Sequence, residues 1–164
     1  ARDLSVIKTP PPNRQPVETS IVGFDEELIR DAISYEIKRD GQVYFINNRI
    51  ENLKDIAGLI QRLVPDAKVI TGHGQMDGKQ LERNVLDFME GKYDVLVSTT
   101  IIESGVDVPN ANTIFINDAQ RFGMADIHQM RGRAGRSNRT AFCFLITPPF
   151  DILSPLALNR LDAI

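Results

Sequence analysis

The stretch from His128 to Arg136 has the residue types and spacing of a chemical site, because three arginines fall within six positions and two glycines separate them. The guanidinium group carries a planar fork of donors that matches phosphate oxygens, and it stays protonated. Glycine keeps the backbone slim and permits positive φ where a ligand approaches. The spacing Q-x-x-G-R-x-G-R therefore predicts that Arg133 and Arg136 contact a polyphosphate. The alternative is a solvated basic loop.

A loop that cradles phosphates is missing from the sequence. Such loops follow the pattern G-x-x-x-x-G-K-[ST]. The nearest approach is Gly78-Lys79, which has His73 in place of the first glycine and Gln80 in place of the Ser or Thr that binds Mg²⁺. Asp25-Glu26 resembles an acidic Mg²⁺ motif, but without a cradle it is better explained as a helix cap. Lacking both Walker A and Walker B, this chain alone is expected not to hydrolyse ATP.

The arginines, together with the absence of a phosphate-binding loop, indicate that this chain forms one half of a two-part nucleotide site. We expect another lobe to hold most of ATP and its Mg²⁺, while this chain supplies arginines across a cleft. Two histidines and one cysteine, far apart in the sequence, give no metal-binding signature of their own.

Composition narrows the class of protein. The chain has 164 residues, 42% of them hydrophobic and 25% charged, which suits one α/β domain with a real core. A net charge of -3 argues against a domain that coats nucleic acid through its overall charge. Positive charge is concentrated instead in one region, at Arg121, Arg131, Arg133, Arg136 and Arg139.

The expected location is the cytoplasm. A single cysteine, Cys143, excludes an internal disulfide and fits a reducing compartment. No apolar run approaches the length that spans a membrane, and the first residues lack the apolar region of a signal peptide. We therefore expect no membrane partner.

Strands alternate with amphipathic helices along the chain. Apolar runs predict strands at 17–22, 43–46, 68–71, 94–98, 113–116 and 140–147, and helical periodicity predicts helices at about 25–40, 53–63, from 77 onward and 124–131. This order predicts a three-layer α/β/α domain with a mostly parallel central sheet, and ligands beyond the carboxyl ends of its strands. Residues 1–16 are rich in proline and are expected to form a linker. The domain would cover 17–150, followed at 151–164 by the start of a helical element.

The order and spacing of the motifs resemble the second RecA-like lobe of superfamily 2 helicases and translocases. The matching segments are 43–48, 72–76, 96–109 and 129–136. Within the superfamily, the residues at 2–5, 9–11, 72–76, 99–103 and 111–113 resemble the transcription-repair coupling factors. RecG-type branch-migration helicases are the alternative.

The resemblance implies a RecA-like fold and a motor function. The longer protein would use ATP hydrolysis to translocate on double-stranded DNA, displace stalled RNA polymerase and recruit nucleotide excision repair proteins. Its partners would be double-stranded DNA, the first RecA-like lobe of the same chain and, through other domains, RNA polymerase and excision-repair proteins. A rival from another class is a non-catalytic module that binds nucleic acid or docks on a protein.

The resemblance also implies roles for single residues at the ATP site. Arg133 and Arg136 would face the γ-phosphate as catalytic arginines. Gln129 would couple the state of the nucleotide to closure of the lobes. Gly105 and Asp107 would lie at the nucleotide side of the cleft, although Asp107 is also explained as a turn former.

A second set of residues is expected to bind DNA. Hydroxyls, amides and backbone N–H groups suit phosphate contacts that carry no sequence information. The set comprises Asn47, Asn48, His73, Gly74, Gln75, Thr99, Thr100 and Arg139. For the asparagines and His73 a role as turn formers stays open, and for the two threonines a role as a helix cap.

Overall fold

A computed structural model of the chain describes residues 17–99, 110–132 and 139–149. In these ranges strands and helices follow one another as β1 (Val17–Val22), α1 (Glu26–Lys38), β2 (Gln42–Ile46), α2 (Leu53–Leu63), β3 (Val69–Gly72), α3 (Gly78–Met89), β4 (Val95–Ser98), β5 (Ala111–Ile116), α4 (Met124–Arg131) and β6 (Ala141–Ile146). A short 3-10 turn, Ala119–Arg121, precedes α4. The predicted strands and helices are confirmed, with small shifts at their ends. The predicted linker and C-terminal element lie outside the described residues.

The strands form one sheet in the order β1-β6-β5-β2-β4-β3. Each pairing among the described strands is parallel, which confirms the predicted parallel α/β architecture. Because all six strands run the same way, their carboxyl ends meet at one edge of the sheet and their amino ends at the other. We call these the carboxyl edge and the amino edge.

The helices divide between the two faces of the sheet. The connections through α1 and α2 run toward β3, whereas those through α3 and α4 lead back toward β6. Since parallel crossovers are right-handed, the two directions place their helices on opposite faces. Successive residues of the central strand β2 accordingly alternate between two cores, with Val43 and Phe45 in the α1 and α2 core and Tyr44 and Ile46 in the α3 and α4 core.

Asp25 confirms its predicted role as a helix cap. Its carboxylate accepts hydrogen bonds from the backbone N–H groups of Glu27 at 2.9 Å and Leu28 at 3.3 Å, at the start of α1. These donors have no partner within the helix, so the carboxylate satisfies them and also complements the positive end of the helix dipole.

A buried ion pair joins α1 to the amino edge. The fully buried carboxylate of Glu36 accepts hydrogen bonds from Arg39 at 2.8 and 2.6 Å and another from the hydroxyl of Thr113 on β5. Arg39 also donates to the carbonyl of Thr140 at 2.8 Å. The hydrogen bonds that Arg39 donates to the Glu36 carboxylate raise the pKa of the Arg39 guanidinium. One side chain therefore connects α1 to the residues that begin β6.

The single cysteine lies inside the core. Cys143 on β6 is fully buried, and desolvation by burial raises the pKa of its thiol to about 12. A thiol with this pKa carries almost no thiolate at neutral pH, so Cys143 is a structural residue. None of the helices in the described ranges is long and apolar enough to cross a membrane.

Replacement of Gly41 tests how tightly the amino edge is packed. A Cβ at this position would collide with the carboxylate of Glu36. We expect Gly41→Ala to lower the free energy of unfolding by about 1–3 kcal/mol, the usual cost of overpacking. Urea denaturation measures the change. Gly78→Ala is the matched control, since a Cβ there meets nothing within 4 Å, and equal midpoints for the two variants would contradict the prediction.

Candidate functional site

The candidate site is a cleft of about 700 Å³ at the carboxyl edge. Its lining comes from the loops that follow β2, β3, β4 and β5, which are four neighbouring strands of the sheet. We call it the carboxyl-edge cleft, and it is lined by Asn48, Arg49, Ile50, Glu51, Gly74, Gln75, Thr99 and Arg121. Its position agrees with the expectation that ligands of a parallel sheet bind beyond the carboxyl ends of the strands.

Four of the residues predicted to bind DNA are brought together here. Asn48, Gly74, Gln75 and Thr99 come from three separate loops and line the same cleft. His73 lies at the start of the Gly74 loop, where its Nδ1 accepts a hydrogen bond from the backbone N–H of Gln75 at 3.2 Å. This bond shapes the loop, and the predicted contacts with DNA stay predictions.

Asn47 lies beneath the cleft, with only 1% of its surface exposed. Its Nδ2 donates to the carbonyl of Arg49 at 3.0 Å and to Oδ1 of Asn52 at 2.8 Å, and its Oδ1 accepts from Nδ2 of Asn117 at 2.8 Å. Its backbone N–H donates to the carbonyl of Ser98 at 2.8 Å. This geometry assigns Asn47 an internal, positioning role and leaves the predicted contact with DNA to its exposed neighbour Asn48.

Thr99 lines the cleft and carries a buried hydroxyl. The residue is 5% exposed, and within the described ranges its Oγ1 has no hydrogen-bond partner. Its backbone N–H donates to the carbonyl of Gly72 at 3.2 Å, which ties the residue that follows β4 to the end of β3. Buried polar atoms in folded proteins nearly always have partners, so the unpartnered hydroxyl of this cleft-lining residue is a candidate ligand contact, with its oxygen covered in the chain alone.

Two arginines of the cleft were missed as site residues by the sequence reasoning. Arg49 follows Asn48 directly after β2, and Arg121 ends the 3-10 turn after β5. Both side chains are exposed, and neither forms an ion pair within the described part of the chain. The position of Arg49 directly after a predicted strand could have identified it as a site residue. Arg121 was counted only among the arginines in which the positive charge of the chain is concentrated.

Arg139 lies at the other edge of the sheet. Its guanidinium donates a hydrogen bond to the backbone carbonyl of Arg39, just before β2, and it precedes the first residue of β6. The structure therefore does not bring Arg139 together with the other residues predicted to bind DNA. Its nearness to the arginine motif in sequence did not imply a place in the same cleft.

The predicted ATP-site residues are described only in part. Gln129 is exposed on α4, whose last residue, Arg131, donates to the hydroxyl of Thr19 on β1 at 3.1 Å and contacts Nδ1 of His128 at 2.9 Å. These contacts hold the end of α4 against the edge of the sheet. The remaining ATP-site residues and one predicted DNA contact lie outside the described residues, namely Gly105, Asp107, Arg133, Arg136 and Thr100.

Comparison with known proteins places this architecture in a family. The model of the helicase conserved C-terminal domain matches residues 25–138. The chain belongs to this family. The predicted RecA-like fold of a helicase C-terminal lobe is thereby confirmed.

Two bacterial proteins and one solved structure are similar to this helicase C-terminal domain. It is 51% identical over 163 residues to the transcription-repair-coupling factor of Bacillus subtilis (strain 168) and 46% identical over 163 residues to that of Staphylococcus aureus (strain USA300). Each match covers 99% of this chain and 14% of the relative, so the chain spans about one seventh of these proteins. RecG, in its structure bound to a three-way DNA junction, matches with a TM-score of 0.79 and 36% identity, over 93% of this chain and 20% of RecG. The two predicted resemblances are confirmed.

Variants of the adjacent asparagines test the division between positioning and binding. Asn47→Ala leaves buried partners unsatisfied, so we expect it to lower the free energy of unfolding by about 1–3 kcal/mol. Asn48→Ala removes an exposed side chain, so it should lower this energy by less than Asn47→Ala does, and it should weaken DNA binding about two- to tenfold. Urea denaturation and titration of a labelled duplex measure the two effects. An Asn47→Ala variant with parental stability would refute the positioning role.

Replacing Thr99 with Val tests whether its hydroxyl is kept for a ligand. Removal of an unpartnered buried hydroxyl should leave stability unchanged or raise it by up to about 1 kcal/mol, while DNA affinity falls about two- to tenfold. Thr113→Val is the matched control, because that hydroxyl donates to Glu36. The control should lose stability and keep its DNA affinity. If Thr99→Val binds DNA as the parent does, the hydroxyl is not a ligand contact.

Proposed function

We propose that this chain is the C-terminal motor lobe of an ATP-dependent double-stranded DNA translocase of the transcription-repair coupling factor type. The observation that carries the proposal is the 51% identity to the Bacillus subtilis transcription-repair-coupling factor over 99% of this chain. An identity of this level over the whole lobe supports the same part of the same kind of motor. The finer activities belong to a longer protein and are proposed with it.

The carboxyl-edge cleft supports the DNA-binding part of the function. Its lining offers two guanidinium groups, the Asn48 and Gln75 amides, the Thr99 hydroxyl and the slim backbone of Gly74. These groups suit phosphate oxygens, and the loops that carry them come from adjacent strands of a rigid sheet. Contacts of this kind position a protein on DNA without reading its sequence, which is what a translocase needs.

The arginine motif supports the ATP-dependent part. Arg133 and Arg136 would stabilise the negative charge that develops on the transferred phosphoryl group, and Gln129, Gly105 and Asp107 would contact the nucleotide from the same side. This chain lacks the cradle sequence for phosphates and Mg²⁺. We therefore assign most of the binding of ATP and Mg²⁺ to the first RecA-like lobe, and the completion of the site to this one.

The two sites explain how one lobe could couple hydrolysis to movement. When the lobes close over ATP, the arginines of this chain would enter the nucleotide site, and the carboxyl-edge cleft would move with them as a rigid body. DNA held through its phosphates would then shift relative to the other lobe. Displacement of RNA polymerase and recruitment of excision-repair proteins would fall to other parts of the longer protein. Since the motor acts on DNA, its proposed place of action is the bacterial cytoplasm.

A RecG-type branch-migration motor is the second candidate. It is supported by the TM-score of 0.79 and 36% identity to RecG, whose structure was determined with a three-way DNA junction. Release of stalled RNA polymerase from duplex DNA by the longer protein would support the first candidate, and unwinding of branched DNA without such release would support the second. Failure to hydrolyse ATP in either assay would indicate a non-catalytic binding module.

The arginine motif is tested in the longer protein that carries this lobe. Arg133→Ala and Arg136→Ala should each lower the DNA-stimulated kcat for ATP by roughly two orders of magnitude or more, because arginine fingers act mainly in the transition state. ATP affinity should fall much less. Arg136→Lys should restore little, since an ammonium lacks the planar fork.

The control for this experiment is Arg62→Ala, which removes an exposed arginine in the last turn of α2 that is not among the described residues of the carboxyl-edge cleft. This variant should keep the parental kcat. Hydrolysis at the parental rate by both Arg133→Ala and Arg136→Ala would show that the motif is a basic loop and not the catalytic pair.

A further inference from the structure

Arg131, the last residue of α4, reaches across to β1, which lies at one end of the strand order. Its guanidinium donates a hydrogen bond to the hydroxyl of Thr19 on β1 at 3.1 Å. Thr19 pairs in register with Cys143 of the neighbouring strand β6. Burial raises the pKa of the Cys143 thiol to about 12, and the nearby charge of Arg131 opposes that rise. The arginine side chain therefore passes close to β6 and ends on β1.

Two neutral acceptors hold this guanidinium. A second N–H group of Arg131 lies 2.9 Å from Nδ1 of His128, which is three residues earlier on α4. Because an arginine can only donate, Nδ1 is the acceptor and carries no proton. None of the ion pairs among the described residues includes Arg131. Its planar fork of donors therefore serves to fix the direction from the helix to the strand.

Thr19 is a polar residue on an otherwise apolar face of β1. Side chains alternate along a strand, so Val17, Thr19 and Ile21 share one face. The two apolar residues pack against the α3 and α4 core, and Thr19 between them is partly buried. The hydrogen bond that its hydroxyl accepts from Arg131 gives this polar side chain a partner in a largely apolar setting.

The end of α4 depends on this hydrogen bond for its direction. The helix has eight residues, its buried residues are Ile127 and Met130, and its N-cap is Gly123, which offers no side chain to cap it. Apolar packing of the two buried residues is non-directional. A hydrogen bond has a preferred distance and angle, so the bond from Arg131 restrains the helix end relative to β1. Gln129 is exposed on the same last turn and is carried with it.

We propose that Thr19 and Arg131 are positioning residues for ATP hydrolysis. Their hydrogen bond sets the end of α4, and with it the side chain of Gln129 and the arginine motif that follows this helix in the sequence. Val17, the first residue of β1, directly follows the expected interlobe linker at 1–16, so the bond joins the helix of the ATP site to the strand that continues the linker. The inference rests on the proposed ATP-driven function and adds to it two residues that act without touching the nucleotide.

Removal of the Thr19 hydroxyl tests the assignment in the longer protein that carries this lobe. Thr19→Val nearly keeps the shape of the side chain and removes the acceptor. The DNA-stimulated kcat for ATP should fall about ten- to a hundredfold, the effect of a misplacement of about 1 Å that originates away from the chemistry. The Kd for ATP should not change, because most of the nucleotide binding is assigned to the first lobe. DNA affinity should keep the parental value, since neither residue lines the carboxyl-edge cleft.

Two matched variants separate the hydroxyl from the fold. Thr19→Ser keeps the acceptor and should retain the parental kcat. Ser20→Ala removes an exposed hydroxyl from the next position of β1, on the opposite face of the strand, and should retain it as well. A purely structural role would lower the urea midpoint of Thr19→Val without changing the kcat of the molecules that remain folded, so both quantities are measured.

A double variant tests whether the two residues act through one bond. Arg131→Ala should lower kcat at least as much as Thr19→Val does, and the two changes together should cost no more than Arg131→Ala alone, because contacting residues that share one interaction are not additive. Single losses that multiply in the double variant would overturn the assignment to a shared bond.

The outcomes also separate this inference from the proposed function. If Thr19→Val keeps the parental kcat, or if Thr19→Ser loses as much as Thr19→Val, the positioning role is overturned. The proposed function then still stands, provided that Arg133→Ala and Arg136→Ala lower turnover as expected. A loss of kcat that only follows the loss of folded protein would overturn the positioning role in the same way. Absence of ATP hydrolysis by the parental longer protein would overturn both proposals.

Discussion

The buried amide of Asn47 is the interaction on which the carboxyl edge depends. Backbone groups at the ends of parallel strands have no partners within the sheet, and here four neighbouring strands end close together around a cleft. Asn47 supplies hydrogen bonds at this edge. Its side chain and its backbone N–H together connect the ends of β2, β4 and β5 and the start of α2. The loops above it can then carry charge and small residues chosen for a ligand, since the support beneath them is already complete.

The two edges of the sheet use their charged residues differently. At the amino edge, Glu36 and Arg39 form a buried network that reaches β5 and the start of β6, and the guanidinium of Arg39 lies 5.1 Å from the ring centroid of Tyr35 and 5.3 Å from that of Phe142. The charges of Glu36 and Arg39 are thus paired with each other inside the protein. At the carboxyl edge the charges of Arg49 and Arg121 face a cleft. Substitutions of Glu36 or Arg39 are therefore expected to change stability and to leave the cleft at the opposite edge in place.

The sequence was sufficient for the elements, for the parallel sheet and for the family, because buried parallel strands are short apolar runs and the motifs follow them at regular intervals. It was not sufficient to sort the polar residues within the loops. Asn47 and Asn48 are identical in type, and what separates them is that Asn47 lies within hydrogen-bond distance of Asn52 and Asn117, two partners that the sequence pattern of the loop does not reveal. Arg139 lies near the arginine motif in sequence, yet it lies at the opposite edge from the cleft. Arg121 joins Arg49 only because β5 pairs with β2, a neighbour relation that no local pattern encodes.

The burial of Cys143 gives this lobe a practical advantage as an object of spectroscopy. It is the single cysteine of the chain, and its thiol is both enclosed by the core and, with a pKa of about 12, almost entirely protonated at neutral pH. A maleimide dye should therefore leave the folded chain unlabelled. A cysteine introduced at an exposed position such as Glu51 would be modified alone, with no need to remove the natural one. Fluorophores placed on this lobe would then report its distance from a second labelled site.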